Sequence, residues 1–122
     1  MHDDIRTIKN SKLTQEQIDS LDGATVFDGE GLDDCIITVR VDNDGVIAVY
    51  DYDLLCNAFM DKGSSFTEEA QEWVDYNLVR ALPYMRPRAP WIVMETAVED
   101  VAEEFGEDVQ TMSHDGRLYV RL

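Results

Sequence analysis

The sequence predicts an α+β fold in a single domain over residues 1–122, built on a mainly antiparallel sheet. Two segments rich in β-branched residues flank a DNDG turn, and apolar residues over 66–82 recur at i, i+3, i+4 and i+7. Strands and helices follow one another without a regular β-α-β alternation, which favours α+β over α/β. With 122 residues, 44% of them hydrophobic, the chain can bury about two thirds of its unfolded surface.

Five strands are expected in three places. A hairpin spans 35–50, with the DNDG turn at 42–45 between its strands. The apolar segment WIVME predicts a strand at 91–95. A second hairpin spans 109–122, with its turn at His114-Asp115-Gly116.

Four helices are predicted from apolar periodicity and from residues typical of helix ends. Thr14 with Gln17, and Ser65 with Glu68, have the spacing of a capping box. Pro83 is expected to end the third helix, because the residue before a proline disfavours the α conformation. The predicted helices lie at about 14–21, 54–62, 66–82 and 97–105.

Charge is the strongest global property of the chain. It has 26 acidic and 10 basic residues, a net charge of −16. Direct binding to nucleic acid or to an anionic membrane is disfavoured, because both need Lys and Arg. A cationic protein surface is the favoured partner, and the commonest large cationic clefts in a cell are those that bind nucleic acid.

The chain has no run of about 18 apolar residues and no apolar signal core near its N-terminus, so we expect a cytoplasmic protein. Cys35 and Cys56 are too few for a disulfide framework or a zinc site. We expect both to be buried thiols.

Motifs for catalysis are sparse. The apolar strand before Asp51-x-Asp53 resembles the nucleophile motif of the haloacid dehalogenase phosphatases over about eight residues. The resemblance implies a Mg²⁺-dependent phosphohydrolase, whereas capping of the 54–62 helix is the structural alternative that we prefer. The DNDG turn fails as a calcium-binding loop, since Arg40 takes the first ligand position. We therefore expect no enzymatic activity, no catalytic residue, no metal and no cofactor.

Two groups of acidic residues are candidate partner-binding sites. Between Glu95 and Asp108 there are seven acidic residues and no basic one. On a helix, carboxylates three or four residues apart lie about 5–6 Å from each other, a spacing comparable to that of phosphates along a nucleic-acid strand. For each group taken alone, a solvated helix face or polar turns is the preferred interpretation, and it is the two groups together with the net charge of −16 that bring in phosphate mimicry. The candidate residues are Asp33, Asp34, Asp42 and Asp44 around the first hairpin, and Glu99, Asp100, Glu103, Glu104, Glu107 and Asp108 on and after the last helix.

The segment at 80–90 holds all three prolines and three of the ten basic residues. Arg80 is placed on the last turn of the third helix, where a cation complements the helix dipole. Arg86 and Arg88 are expected to pair with nearby acids and to hold this rigid corner in place. Contact with a partner is the alternative role for these two arginines.

Residues 50–93 resemble a family of small phage and prophage proteins with no assigned mechanism. The pattern is Tyr-Asp-x-Asp, an apolar helix, a Glu-Glu-Ala-x-x-x-x-x-Tyr-Asn helix, a proline-containing turn and an apolar strand. The matching residues are Tyr50, Asp51, Asp53, Glu68, Glu69, Ala70, Tyr76, Asn77, Ala81, Pro90 and Ile92. The small size, the acidity and the lack of catalytic motifs are also similar to those of anti-CRISPR proteins.

These observations favour an inhibitor encoded by a phage or prophage, of anti-CRISPR type. It would bind the basic, nucleic-acid-binding surface of a CRISPR effector or another host defence nuclease, with its carboxylates in place of phosphates. One alternative is a phage regulatory or assembly module whose acidity serves solubility. The other is the Asp-x-Asp phosphohydrolase.

Overall fold

The computed structural model describes residue 10 and residues 12–27, 31–43, 45–61, 67–85 and 88–122. Within these ranges five strands form one curled sheet of order β1-β2-β3-β5-β4. They are β1 (Ile36–Asp42), β2 (Gly45–Asp51), β3 (Trp91–Glu95), β4 (Thr111–His114) and β5 (Arg117–Arg121). The β1–β2, β3–β5 and β4–β5 pairs are antiparallel, which confirms the predicted fold class, both hairpins and the strand at 91–95.

The β2–β3 pair is parallel, so the chain contains one β-α-β unit that the sequence analysis did not predict. Two parallel neighbours require a crossover connection. Here α2 (Tyr52–Asp61) and α3 (Thr67–Val74) lie between the two strands in the chain. Leu55, Ala70 and Val74 of these helices are buried in the same cluster as Tyr50 and Ile92 of the sheet.

Two of the predicted helices match the structure closely. Helix α1 spans Gln15–Ser20, and the capping box between Thr14 and Gln17 is present. Helix α2 begins at Tyr52, two residues earlier than predicted, because Asp51 caps it.

The predicted helix at 66–82 is wrong in its second half. Helix α3 ends at Val74 and continues as a π-helical turn over Asp75–Val79, in which the Arg80 N–H donates to the Asp75 carbonyl five residues earlier. Pro83 lies inside a separate 3₁₀ turn, Leu82–Tyr84, so it does not end the α-helix. Proline is tolerated there because the first residues of a helical turn need no N–H donor. Ser65 lies outside the described residues.

The predicted helix at 97–105 is also shorter than expected. It starts as a 3₁₀ turn over Val98–Asp100, and only Val101–Phe105 forms an α-helix, α4. Val98, near the start of the predicted helix, is 75% exposed. Val101 and Phe105 alone are half-buried, and a face this narrow supports only a short helix.

The core lies on both faces of the curled sheet. On one face, Ile36, Ala48 and Tyr50 pack with the helices. The other face buries Ile37, Ile47, Val49, Trp91, Val93 and Tyr119. Arg40 of β1 and Arg121 of β5 reach the Trp91 ring from the two sides of β3, at 4.1 and 4.5 Å from its centroid. None of the described helices is long and apolar enough to cross a membrane.

Arg88 connects three separate parts of the chain. Its guanidinium donates to the carbonyl oxygens of Ser20, Asp22 and Val46 at 3.0, 2.8 and 2.9 Å. Within the described ranges Arg88 pairs with backbone carbonyls and with no acid, contrary to the expectation. The planar guanidinium thus supplies hydrogen-bond donors, as a fork, to backbone carbonyls at the end of α1 and in the first hairpin. Arg86 lies outside the described residues.

We expect Arg88→Ala to lower the free energy of unfolding by about 2–4 kcal/mol, because three charge-assisted hydrogen bonds are lost and partly buried carbonyls remain. Arg88→Lys should lose most of this as well, since a single ammonium cannot match the fork. Urea unfolding measures both. Arg80→Ala, at an exposed arginine, is the control and should cost about 0.5 kcal/mol or less. Equal stability of the Arg88→Ala and Arg80→Ala variants would contradict this role.

Candidate functional site

The acidic residues at 99–108 form one exposed surface, which we call the acidic ridge. Its members are Glu99, Asp100, Glu103, Glu104, Glu107 and Asp108; Asp100 is half-buried and the other five are exposed. Within the described residues none of the six forms an ion pair. The ridge therefore presents its carboxylates to solvent without internal neutralisation.

Three short elements build the ridge. The 3₁₀ turn carries Glu99 and Asp100, and α4 carries Glu103 and Glu104. Gly106 follows with φ +91°, a backbone conformation that favours glycine, and ends α4. The chain then continues through Glu107 and Asp108 before β4. The acidic surface thus extends beyond the helix that the sequence predicted.

The acids around the first hairpin do not form a single group. Asp33 and Asp34 lie in a 3₁₀ turn before β1, whereas Asp42 is the last residue of β1. The strand between them rises about 20 Å at about 3.3 Å per residue. Lys12 also donates to the Asp34 carbonyl at 2.6 Å, which places a cation beside this pair. Asp44 lies outside the described residues.

Asp42 instead lies near the end of the ridge. Asp42 and Asp108 line one cleft of about 790 Å³, together with Leu82, Gln110 and Arg121. The structure therefore brings one hairpin acid and one ridge acid to the same cleft. It also places a cation there, since the Arg121 guanidinium donates to Gln110 in this cleft.

Asp51 is the buried carboxylate among the described residues and caps α2. Its Oδ1 accepts hydrogen bonds from the N–H groups of Asp53 and Leu54 at 2.8 and 3.2 Å. Burial raises the pKa of Asp51, and the two N–H donors oppose that shift only in part. The capping interpretation is thereby confirmed. Asp53 is exposed, and no group of three or more His, Cys, Asp or Glu within the described ranges could hold a metal ion.

A second cleft, of about 670 Å³, opens beside Asp51, the last residue of β2. Lys12, His114 and Arg117 line it with Asp51 and Tyr119. Arg117 pairs with Glu95 at 3.4 Å, and burial raises the pKa of the Tyr119 hydroxyl. Charges of both signs balance one another here, so this cleft lacks the uniform charge of the ridge.

The two thiols have no chemical role that their surroundings support. Cys35 and Cys56 are free and buried, as expected. Burial raises the pKa of Cys35 to about 12 and that of Cys56 to about 11. Nucleophilic attack requires the thiolate, so both cysteines are poorly reactive near neutral pH.

The sequence analysis missed an exposed aromatic surface on the third predicted helix. Trp73 is 43% exposed and Tyr76 is 69% exposed. They line an open cavity of about 540 Å³ with Glu69, Glu72, Asp75 and Arg80. We call these six residues the aromatic patch. The signal in the sequence was the group of acids at 68, 69, 72 and 75 around the two rings.

Asp51→Asn should keep the cap, because Asn accepts the same N–H bonds, while Asp51→Ala should lose about 1 kcal/mol. Burial raises the folded-state pKa, so the native Asp51 stabilises most below its unfolded pKa of about 3.9, and that contribution falls as the pH rises. As the pH rises above that unfolded pKa, from about 4 to 8, the Asn variant should therefore gain stability relative to the native protein. Urea unfolding across this range measures it.

If Asp51→Asn loses about as much stability at pH 7 as Asp51→Ala, the amide does not replace the carboxylate. That result would contradict the capping role. The same Asn variant bears on the phosphohydrolase alternative. Hydrolysis of para-nitrophenyl phosphate with Mg²⁺, abolished by Asp51→Asn, would support that alternative.

Comparison with known proteins gave no match of any kind. No family model matches the chain, and no curated protein or solved structure is significantly similar to it.

Proposed function

We propose that the protein is a non-enzymatic inhibitor encoded by a phage or prophage. It binds the cationic, nucleic-acid-binding surface of a host defence nuclease complex of the CRISPR effector type. The observation that carries this proposal is the acidic ridge, in which five of six carboxylates are exposed and none is ion-paired within the described residues.

The ridge supports the proposal because its carboxylates are available without breaking internal contacts. Glu99 and Glu103, and likewise Asp100 and Glu104, are four residues apart across the 3₁₀ turn and α4, so Arg or Lys side chains of a partner can pair with neighbouring carboxylates in turn. Crowded like charges cost a few tenths of a kcal/mol each in the free protein. A cationic partner relieves that repulsion, which adds to the attraction.

Electrostatic binding of this kind has kinetic and competitive consequences. A net charge of −16 speeds encounter with a positive surface, and salt screens the attraction over about 8–10 Å. A partner surface occupied by carboxylates is closed to phosphates. The protein therefore competes with DNA or RNA rather than binding it.

A second candidate function is a phage regulatory or assembly module that binds through aromatic surface. The exposure of Trp73, Tyr76 and Tyr84 favours it, because exposed aromatics are enriched at interfaces. Binding of that kind changes little with salt. Salt dependence therefore distinguishes the two functions.

Charge reversal of the ridge tests the proposal. We expect the native protein to displace fluorescent target DNA from purified CRISPR effector complexes, and we expect Glu103→Lys/Glu104→Lys to weaken displacement by about tenfold or more, since charge pairs are lost and repulsion is gained. Fluorescence anisotropy at several salt concentrations measures the affinity and its salt slope. The control is Glu16→Lys/Asp22→Lys, which makes the same change in net charge at two exposed acids elsewhere.

The proposal fails if no effector complex releases its DNA at protein excess. It also fails if reversal of the ridge leaves the affinity and the salt slope the same as those of the control variant. Displacement that does not depend on salt would favour the aromatic interaction module instead.

A further inference from the structure

The aromatic patch is built on a fixed ring. The indole of Trp73 packs on the ring of Phe59, with 3.9 Å between ring centroids and a tilt of 37°. Phe59 is half-buried against the main core cluster. The outer face of Trp73 is thus held in place from behind, and ordering it on binding costs little conformational entropy.

The π-helical turn positions the rest of the patch. Asp75 begins this turn, and its Oδ1 accepts a hydrogen bond from the Tyr52 hydroxyl at 2.9 Å. Tyr76 follows immediately and is 69% exposed. Single π-helical turns inside helices are often found at functional sites. Here the turn presents a tyrosine ring and a carboxylate side by side next to Trp73.

The charges around the two rings favour a cation. Glu69, Glu72 and Asp75 carry three negative charges against one positive charge on Arg80. Neither Glu69 nor Glu72 has an ion pair in the described part of the chain. An uncharged apolar ligand would desolvate these carboxylates without a partner, which costs free energy. A guanidinium or ammonium group would instead meet carboxylates at its edge and aromatic rings at its face.

The protein itself shows that a guanidinium fits against this surface. The Arg80 guanidinium carbon lies 5.5 Å from the centroid of the Tyr76 ring. That is near the outer limit of about 6 Å for a cation–π contact. Arg80 is exposed and its contact with the ring is long, so a partner's cation can replace it there.

We propose that the aromatic patch binds an arginine or lysine side chain of a partner protein, held between the rings of Trp73 and Tyr76 and the carboxylates of Glu69 and Glu72. The inference rests on the cationic partner proposed above, but it does not depend on the ridge. It adds a specific side-chain pocket to a protein whose ridge acts through charge alone.

The test uses N-acetylarginine amide as the probe, followed by the ¹H–¹⁵N signals of the two tryptophan indoles at low ionic strength. We expect a saturable shift of the Trp73 signal. Trp91 is 6% exposed beneath Arg40 and Arg121, so its signal should not move. N-acetylnorleucine amide, which has an aliphatic stem and no charge, should give no saturable shift.

Substitutions then identify the groups that bind. Tyr76→Ala should weaken arginine binding about two- to fivefold, the factor that corresponds to one exposed cation–π contact. Tyr76→Phe should retain binding because it keeps the ring, and Glu69→Gln/Glu72→Gln should weaken it. The matched control is Tyr84→Ala, which removes a tyrosine that is 87% exposed elsewhere and should change nothing.

Equal binding of the arginine and norleucine probes would overturn the inference, as would equal effects of Tyr76→Ala and Tyr84→Ala or the absence of any saturable shift. The ridge variant Glu103→Lys/Glu104→Lys should still bind the arginine probe. If the native protein displaces DNA but does not bind the arginine probe, only this inference fails. If it binds the arginine probe but does not displace DNA, only the proposed inhibition fails.

Discussion

The contact on which the rest of the fold depends is the fork that Arg88 makes to three backbone carbonyls. It joins the end of α1, the start of β2 and the chain entering β3, three segments far apart in sequence. Two glycines make room for it: a Cβ at Gly23 would lie 3.1 Å from an Arg88 guanidinium nitrogen, and one at Gly45 would lie 3.2 Å from its Nε. Arg88 itself has a φ of +57°, a strained value for a residue with a side chain.

Most of the described arginines contact backbone carbonyls or aromatic rings instead of carboxylates, which leaves most of the described acids without an ion pair. Arg88 binds carbonyls, Arg40 and Arg121 stack on Trp91, and among the described Lys and Arg side chains only Arg117 forms an ion pair. A chain with 26 acids could have neutralised many of them with its arginines. Among the described residues the arginines pair with one acid, Glu95, so most of the described acids keep their negative charge at the surface. The net charge therefore acts outward, on whatever approaches the protein.

The ridge and the aromatic patch would recognise a cation in different ways. Charge on the ridge acts at long range and gives speed more than specificity, and salt weakens it. An aromatic ring with carboxylates at its edge acts only at contact and selects the shape of one side chain. A partner that engaged both would combine rapid encounter with a defined orientation. The balanced charges of the cleft at Asp51 give neither property.

The sequence by itself determined the features that depend on near neighbours. Both hairpins, the capping box at Thr14 and the cap at Asp51 were predictable, because each needs only a few consecutive residues with the right turn or hydrogen-bonding chemistry. The tertiary structure decided the parallel β2–β3 pair, the split of the hairpin acids by the length of β1, the carbonyl partners of Arg88 and the exposure of Trp73. Each of these depends on groups distant in sequence. For Trp73, helical spacing does not show which side of the ring a neighbouring element covers. Sequence therefore located the acidic ridge, and only packing showed the aromatic patch.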